Sequence, residues 1–501
     1  MKIFILYETY NIEFFGKYIL GKYLISKINE PVEIQVGYYR DLILKIFKCK
    51  PNEKVIIIGN QIYYTNTVLI DLYNYKNFIF LPQHEEEHAL FSVNKKNYFE
   101  NLLSKDYFSK FHKYLCFNNE TKKDFKNFLK INNNQICSVG NAKYDLLKLI
   151  KNYRNFSNLL IKQNKYILVT LPDSFFKAAL IYFSQTRNRK KFKLSYKNDT
   201  FIGNRSVNEQ ISHYFYIKSF LKNVMKLAKK NSRKEIILRP HPSDYEYLGK
   251  LKKVFKNYKN ITINTQHQIY HWINKSKIVI SSPASPIIDC AILERKVICF
   301  YDKSNKYHKF LFSRHPSLNF KNLKIVSNLN FKSMSKIIKT SRMPKISKKI
   351  LPPEKPHFEN IYNEIAKINF KKKLNDNIFH DLLLKRVINF IEYQKEKKQL
   401  GFIGAKNFDK KFKFSMERLL AIIIFWKNPL KLDFLNILRK FTLGRSLTVA
   451  NLEEWHGGLN QKIDHKNLKK FEKFFKKNVT FFKKSNYTLK NKKVIILKKI
   501  R

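Results

Sequence analysis

The stretch Ile278-Val-Ile-Ser-Ser-Pro-Ala-Ser-Pro-Ile-Ile-Asp-Cys-Ala-Ile-Leu293 reads as a strand, a hydroxyl-rich turn and a helix in direct succession. The apolar run stops at Ser281, and Ser285 followed by Pro286 has the pattern of an N-cap and a first helical position. Upstream, Ile236-Ile-Leu-Arg-Pro-His-Pro-Ser-Asp244 is a second apolar strand that ends abruptly, because its prolines forbid ladder continuation and fix the loop. Short apolar strands that feed loops and then helices belong to a parallel sheet covered by helices.

The same alternation extends in both directions. Around the two stretches the expected order is strand Tyr166–Thr170, a polar, basic insertion at Asn188–Asn204, a long amphipathic helix Asn208–Lys229, strand Glu235–Arg239 and helix Tyr245–Phe255. Strand Ile261–Asn264, helix Ile269–Lys275, strand Lys277–Ser281, helix Ser285–Leu293 and strand Lys296–Tyr301 follow. Earlier in the chain, strands are expected at Lys2–Tyr7, Val32–Val36, Lys54–Ile58, Phe78–Leu81, Tyr114–Phe117 and Gln135–Val139. Helical patterns lie between them at Phe15–Lys27, Tyr64–Tyr73, Lys96–Phe111, Glu120–Ile131 and Asp145–Asn155. The fold class predicted is α/β, with two Rossmann-like domains at residues 1–155 and 160–330. A proline cluster, Leu351-Pro-Pro-Glu-Lys-Pro356, then punctuates the chain, and residues 357–501 read as a basic helical appendage. No internal repeat is found.

With 501 residues and 44% hydrophobic content, two cores and an appendage are affordable. The net charge of +60 points to a polyanionic partner or, equally, to A+T-rich codons, since Lys, Asn, Ile, Phe and Tyr abound while Gly and Pro are scarce. A nucleic-acid-binding protein is the rival that this charge raises, but no nucleic-acid motif is recognisable and the aromatics sit in apolar runs, so nucleic acid is not the expected partner. Cys49, Cys116, Cys137, Cys290 and Cys299 are scattered, without metal-ligand spacing, and read as reduced core residues. Met1–Tyr7 lacks the pattern of a signal peptide, and the apolar run Leu419–Trp426 falls well short of the ~20 residues of a spanning helix. A cytoplasmic protein, soluble or peripheral at a membrane, is expected.

Three groups of residues are candidates for chemistry. Arg239 and His241 close a strand at the carboxyl edge of the sheet, where α/β proteins bind ligands; a guanidinium beside an imidazole suits a phosphate leaving group, and the imidazole can shuttle a proton. Ser281, Ser282 and Ser285 surround a helix start, where backbone N–H groups and the helix dipole favour an anion. Gln83-His-Glu-Glu-Glu-His88 places three adjacent carboxylates after a strand of the first domain. They could deprotonate an acceptor hydroxyl, supply charge to a helix N-terminus or, with His84 and His88, bind a metal.

The Glu-Glu, His-Pro and Ser-Ser motifs, in this order and spacing, resemble bacterial surface carbohydrate biosynthesis proteins over residues 1–310. The pattern is that of capsular polysialyltransferases and, more remotely, of glycerophosphotransferases of teichoic-acid synthesis. Glu13-Phe-Phe-Gly-Lys17 is similar to that family's Glu-Phe-Asp-Gly-Lys, and Val139-Gly-Asn-Ala-Lys-Tyr-Asp-Leu-Leu147 to its Gly-Asn-Pro-Arg-Phe-Asp-Leu-Leu. The resemblance implies Glu86 or Glu87 as base, His241 as the residue that binds and protonates the donor phosphate, and Ser281 and Ser282 as its cradle. It implies a CMP-linked acidic sugar as donor. The expectation is an inverting glycosyltransferase of GT-B architecture, acting on a glycan or lipid-linked glycan, with no metal and no cofactor beyond its nucleotide sugar. An epimerase acting on sugar nucleotides would share the fold. The basic appendage is expected to dock on an anionic membrane.

Overall fold

The computed structural model describes residues 1–59, 78–83, 112–172, 175–182, 201–329, 334–346, 353–370 and 463–500, apart from steps of one or two residues inside these spans. Its strands are β1 Lys2–Tyr7, β2 Glu33–Tyr38, β3 Val55–Ile58, β4 Phe78–Leu81, β5 Tyr114–Cys116, β6 Ile136–Ser138, β7 Ile167–Thr170 and β8 Phe201–Ile202. There follow β9 Arg205–Ser206, β10 Ile236–Arg239, β11 Ile261–Ile263, β12 Ile278–Ser281, β13 Val297–Phe300, β14 Lys324–Val326, β15 Ser485–Lys490 and β16 Val494–Lys499. The helices are α1 Tyr10–Lys27, α2 Asn119–Leu129, α3 Ala142–Asn152, α4 Asn155–Leu160, α5 Val207–Lys230 and α6 Leu248–Val254. They continue as α7 Ile269–Lys275, α8 Ser285–Ile292, α9 Lys306–Phe312, α10 Met334–Thr340, α11 His357–Ala366 and α12 His465–Asn478.

Two six-stranded sheets carry the fold. In the second, the order is β11-β10-β7-β12-β13-β14 and every pairing is parallel. The chain starts in the middle with β7, winds outward through β10 and β11, returns to β12 and winds the other way, which is the doubly wound order with its switch point between β7 and β12. Its inner strands β7, β10, β12 and β13 are buried throughout and show no apolar–polar alternation, because helices cover both faces. In the first sheet β2-β1-β3-β4 are parallel, with a reversal between β1 and β3.

The remainder of the first sheet corrects the expected appendage. β15 and β16 form an antiparallel hairpin, and β16 pairs antiparallel with β2, so the chain end extends the N-terminal sheet rather than forming part of a separate helical unit. The physical reason lies in Val494-Ile-Ile-Leu497, a β-branched run that is fully buried beside β2. α12 is helical as expected, but its apolar face is spent inside the protein: Phe471 packs on Phe15 of α1 at 4.5 Å between ring centroids and on Phe156 of α4 at 5.4 Å. α11 likewise packs on α1 and α3. An amphipathic helix whose apolar stripe is already covered has none to offer a bilayer. Of the expected elements, Tyr64–Tyr73 and Lys96–Phe111 lie outside the described residues, as does Leu419–Trp426.

The two sheets meet through α3 and α8. Lys143, in the first turn of α3, reaches the buried Asp289 of α8 at 2.7 Å, and burial raises the affinity of that carboxyl for its proton against the pull of Lys143. Among the described residues no helix is long and apolar enough to cross a membrane.

Candidate active site

The switch point of the second sheet gathers the motifs that the sequence singled out. Thr170, the last residue of β7, is in register with Arg239 on one side and Ser281 on the other. Its hydroxyl donates to Ser281 Oγ at 2.9 Å, so the neck of the crevice is a pair of buried hydroxyls. Ser282 is fully buried at the turn that follows, beside the Tyr216 hydroxyl. The N-cap of α8 is Ala284, in extended conformation, with proline in the first turn. Ser285, expected as the cap, is therefore already inside the helix, and it is exposed. Ala284 supplies no capping oxygen, which leaves first-turn N–H groups to another acceptor.

His241 stands half-buried one residue beyond the buried Pro240. Its carbonyl accepts the Asp244 N–H at 2.9 Å. Asp244, completely buried, accepts the N–H groups of Phe175 and Phe176 at 3.0 and 3.4 Å, and so ties the turn Pro242–Tyr247 to the segment that leaves β7. His241 is thus presented by a loop fixed at both ends.

Arg239 departs from expectation. Its guanidinium donates to the carbonyls of Asn264 and Gln266 at 2.9 and 2.7 Å through Nη1 and to that of His267 at 2.9 Å through Nη2. It lies over the Trp272 ring, whose Nε1 donates to the same Gln266 carbonyl at 2.7 Å. Only 4% exposed, Arg239 spends its fork on the loop after β11 instead of projecting to a phosphate, because a buried guanidinium must find acceptors and the loop carbonyls are nearest.

A second polar cluster lies at the carboxyl edge of the first sheet. Lys17, fully buried in α1, donates to Gln83 Oε1 at 3.1 Å. Gln83 Nε2 donates to the Gly140 carbonyl at 3.3 Å and lies 2.8 Å from His357 Nε2. An amide nitrogen can only donate, so Nε2 accepts and the ring carries its proton on Nδ1. Burial, reinforced by the charge of Lys17, holds His357 well below the usual imidazole range and hence neutral. Gly59, at φ +97°, closes β3 where a Cβ would lie 2.7 Å from the Leu6 carbonyl oxygen and 3.1 Å from Lys17 Nζ. Gly16 is equally constrained: a Cβ there would approach Ala142 C and O to 2.8 Å. The Glu13–Lys17 and Val139–Leu147 motifs therefore meet at the crossing of α1 and α3. Glu86 and Glu87, with His84 and His88, lie outside the described residues; Gln83 immediately precedes them.

The sequence reading assigned no role to Thr170, Gln83, His267 or His357. Thr170 is signalled only by ending an apolar run and Gln83 by preceding the acidic cluster; a lone His after a proline cluster or in a polar loop carries no local signal. Among the described residues no three His, Cys, Asp or Glu side chains gather as a metal-binding group.

No protein-family model matches the chain, and no curated protein matches its sequence. Among solved structures it is similar to the wall teichoic acid polymerase TagF, with 13% identity, 80% of this chain and 90% of that one covered, and a TM-score of 0.41. It is also similar to UDP-N-acetylglucosamine 2-epimerase from Rickettsia bellii, with 10% identity, 78% and 97% covered, and a TM-score of 0.39. A third similar structure is UDP-GlcNAc 2-epimerase of Methanocaldococcus jannaschii in complex with UDP-GlcNAc and UDP, with 14% identity, 78% and 100% covered, and a TM-score of 0.39.

Proposed function

We propose that this chain is a GT-B glycosyltransferase that holds a nucleotide sugar against its second sheet and transfers the sugar, with inversion, to a glycan or lipid-linked glycan approaching from the first. The observation that carries this reading is the coincidence of the switch point between β7 and β12 with the Ser281–Ser282 turn and, one strand away, His241. A doubly wound sheet binds its ligand at that point. Departure of a nucleotide phosphate develops negative charge, which the first turn of α8 stabilises and which His241 neutralises by proton donation. Arg239 acts by fixing the neighbouring loop. Glu86 or Glu87 is the base that activates the acceptor hydroxyl. No metal is required by this division of labour, and a CMP-linked acidic sugar is the favoured donor.

The net charge of +60 supports peripheral attachment to the anionic cytoplasmic leaflet. Because α11, α12 and the terminal hairpin pack with the first sheet and its helix α1, the test is vesicle flotation of the full chain at low and high salt. Flotation that is absent at low salt would dismiss the membrane.

The decisive experiment combines a thermal-shift screen against CMP, CDP, UDP, GDP and their sugar conjugates with product analysis. The expected result is stabilisation by one nucleotide series, sugar transfer that needs an acceptor, and loss of transfer in a folded His241→Ala variant. An epimerised sugar nucleotide formed without acceptor would replace the transferase reading by that of an epimerase, and stabilisation by single-stranded nucleic acid alone would overturn both.

A further inference from the structure

His267 is the residue that the site as read from the sequence leaves out. It lies on the loop after β11, on the same carboxyl rim as His241 and the Ser281–Ser282 turn. Its backbone adopts φ +55°, a left-handed conformation that non-glycine residues rarely hold and that persists only when the surroundings impose it. Here they do: Arg239 grips the carbonyls of residues 264, 266 and 267, and the Asn264 side chain accepts the Gln266 N–H at 2.8 Å.

The ring is fixed as well, from the other end of the chain. Asn467, in the first turn of α12, has its Nδ2 3.2 Å from His267 Nδ1. The amide nitrogen donates, so Nδ1 accepts and the neutral ring carries its proton on Nε2. Burial lowers the basicity of the ring; Asp464 opposes this, while Arg239 and Lys470 add to it. Nε2 has no partner among the described residues, and His267 is only half-buried. α12 itself starts at the junction, where the Asp464 N–H donates to Tyr10 Oη at 3.1 Å just beyond β1. A strained loop, a clamped backbone and a single tautomer thus converge on one N–H donor at the rim.

We propose that His267 is a binding residue of the crevice, donating its Nε2–H to a phosphate oxygen of the ligand, with Asn467 of the C-terminal helix as the residue that sets its tautomer. The inference rests on the nucleotide-sugar reading above and adds to it an imidazole–amide pair contributed by the C-terminal helix. Glycine relieves the backbone at this position, so His267→Gly removes the donor without asking the loop to bear new strain.

The test measures binding of CDP, UDP and inorganic pyrophosphate to the full-length wild type, His267→Gly and Asn467→Asp. His267→Gly should melt at an unchanged or higher temperature and bind the ligand about tenfold or more weakly, the loss expected for a hydrogen bond to a charged group. In Asn467→Asp the carboxylate accepts Nδ1–H, and Nε2 of the neutral ring becomes an acceptor. Binding should then appear only on ring protonation and strengthen as pH falls from about 8 to 6, beyond any change in the wild type. The titratable and charged groups around the ring are Asp464, the N-cap of α12, Lys470 of α12, Arg239 of β10 and His271 of α7. Wild-type affinity in His267→Gly, or a wild-type pH profile in Asn467→Asp, would overturn the role of His267 while leaving the nucleotide reading intact. His267-dependent binding of pyrophosphate alone would uphold the phosphate contact and remove the nucleotide. Binding of none of the three by the wild type would remove both.

Discussion

Glu472→Gln should loosen α12 and the terminal hairpin from α1 and the first sheet. Lys22 Nζ lies 2.5 Å from Glu472 Oε1 and also donates to the Ser485 carbonyl at 2.8 Å, while the Tyr18 hydroxyl donates to Glu472 Oε2 at 2.6 Å. Lys22 is completely buried and Glu472 is 5% exposed, so water does not screen the pair. Burial lowers the proton affinity of Lys22 even with Glu472 beside it, which marks how costly this ammonium is to enclose. Removing one partner of such a pair typically costs ~3–5 kcal/mol, because an uncompensated charge stays behind. The Ser485 carbonyl remains for Lys22, and the glutamine oxygen can still accept from Tyr18, so a value near the lower end, about 3 kcal/mol, is expected. Lys22→Met combined with Glu472→Leu removes both charges and should cost less than Glu472→Gln alone, about 1–2 kcal/mol for the orphaned Tyr18 hydroxyl and Ser485 carbonyl. Native-state hydrogen exchange over residues 465–499 reads the local opening energy directly. A cost below about 1 kcal/mol, the range of an exposed pair, or a double variant no better than the single, would refute the reasoning.

Gly16→Ala should destabilise the protein by about 1–3 kcal/mol, seen as a lower melting temperature, because the new Cβ meets backbone atoms of Ala142 at 2.8 Å and neither helix can yield cheaply. Arg239→Lys should cost about 2 kcal/mol and weaken nucleotide binding, since a point ammonium cannot serve three carbonyls held by a planar fork; equal stability and affinity by denaturation and calorimetry would contradict this. Asp145 supplies a pH dependence. Its carboxyl, raised to about 7 chiefly by burial, accepts the Phe358 N–H at 3.2 Å at the start of α11. The folded chain keeps this proton to higher pH than the unfolded chain, so its contribution is complete below about pH 4 and is lost as pH rises through about 7. Melting curves between pH 5 and 8.5 should therefore show a decline that Asp145→Asn flattens.

Five strands of the second sheet, β7, β10, β11, β12 and β13, were legible to within a residue or two because they are short apolar runs that end at proline, serine or polar loops, as at Arg239-Pro240 and Ser281-Ser282; the edge strand β14, only partly buried, was not expected. The end of the chain was not. In Lys462–Arg501 the lysines dominate local composition, and only partnership with β2, a long-range fact, turns Val494–Leu497 into a strand. Strand ends announce themselves, so the positions of Arg-Pro-His-Pro and of the Ser281–Ser282 turn at the edge of the sheet were legible, but nothing in Arg-Pro-His-Pro says that the Arg239 side chain turns to the loop after β11. Ser285 was misjudged by a single position, since a cap and a first helical residue share the same composition. His267 and Asn467 lie far apart in sequence, so their meeting has no local trace.

The route of the chain through the first sheet also bears on how the protein is made. The second sheet is drawn from one continuous stretch, β7 to β14, and can close as soon as that stretch has left the ribosome. The first sheet is closed at its β2 edge only by a strand from the far end of the chain, and Lys22 waits for Glu472 across 450 residues. During synthesis the edge of β2 is therefore bare and the buried lysine lacks its counter-charge, so the later-translated sheet should mature first and the earlier one should depend on chaperones until the last hairpin arrives.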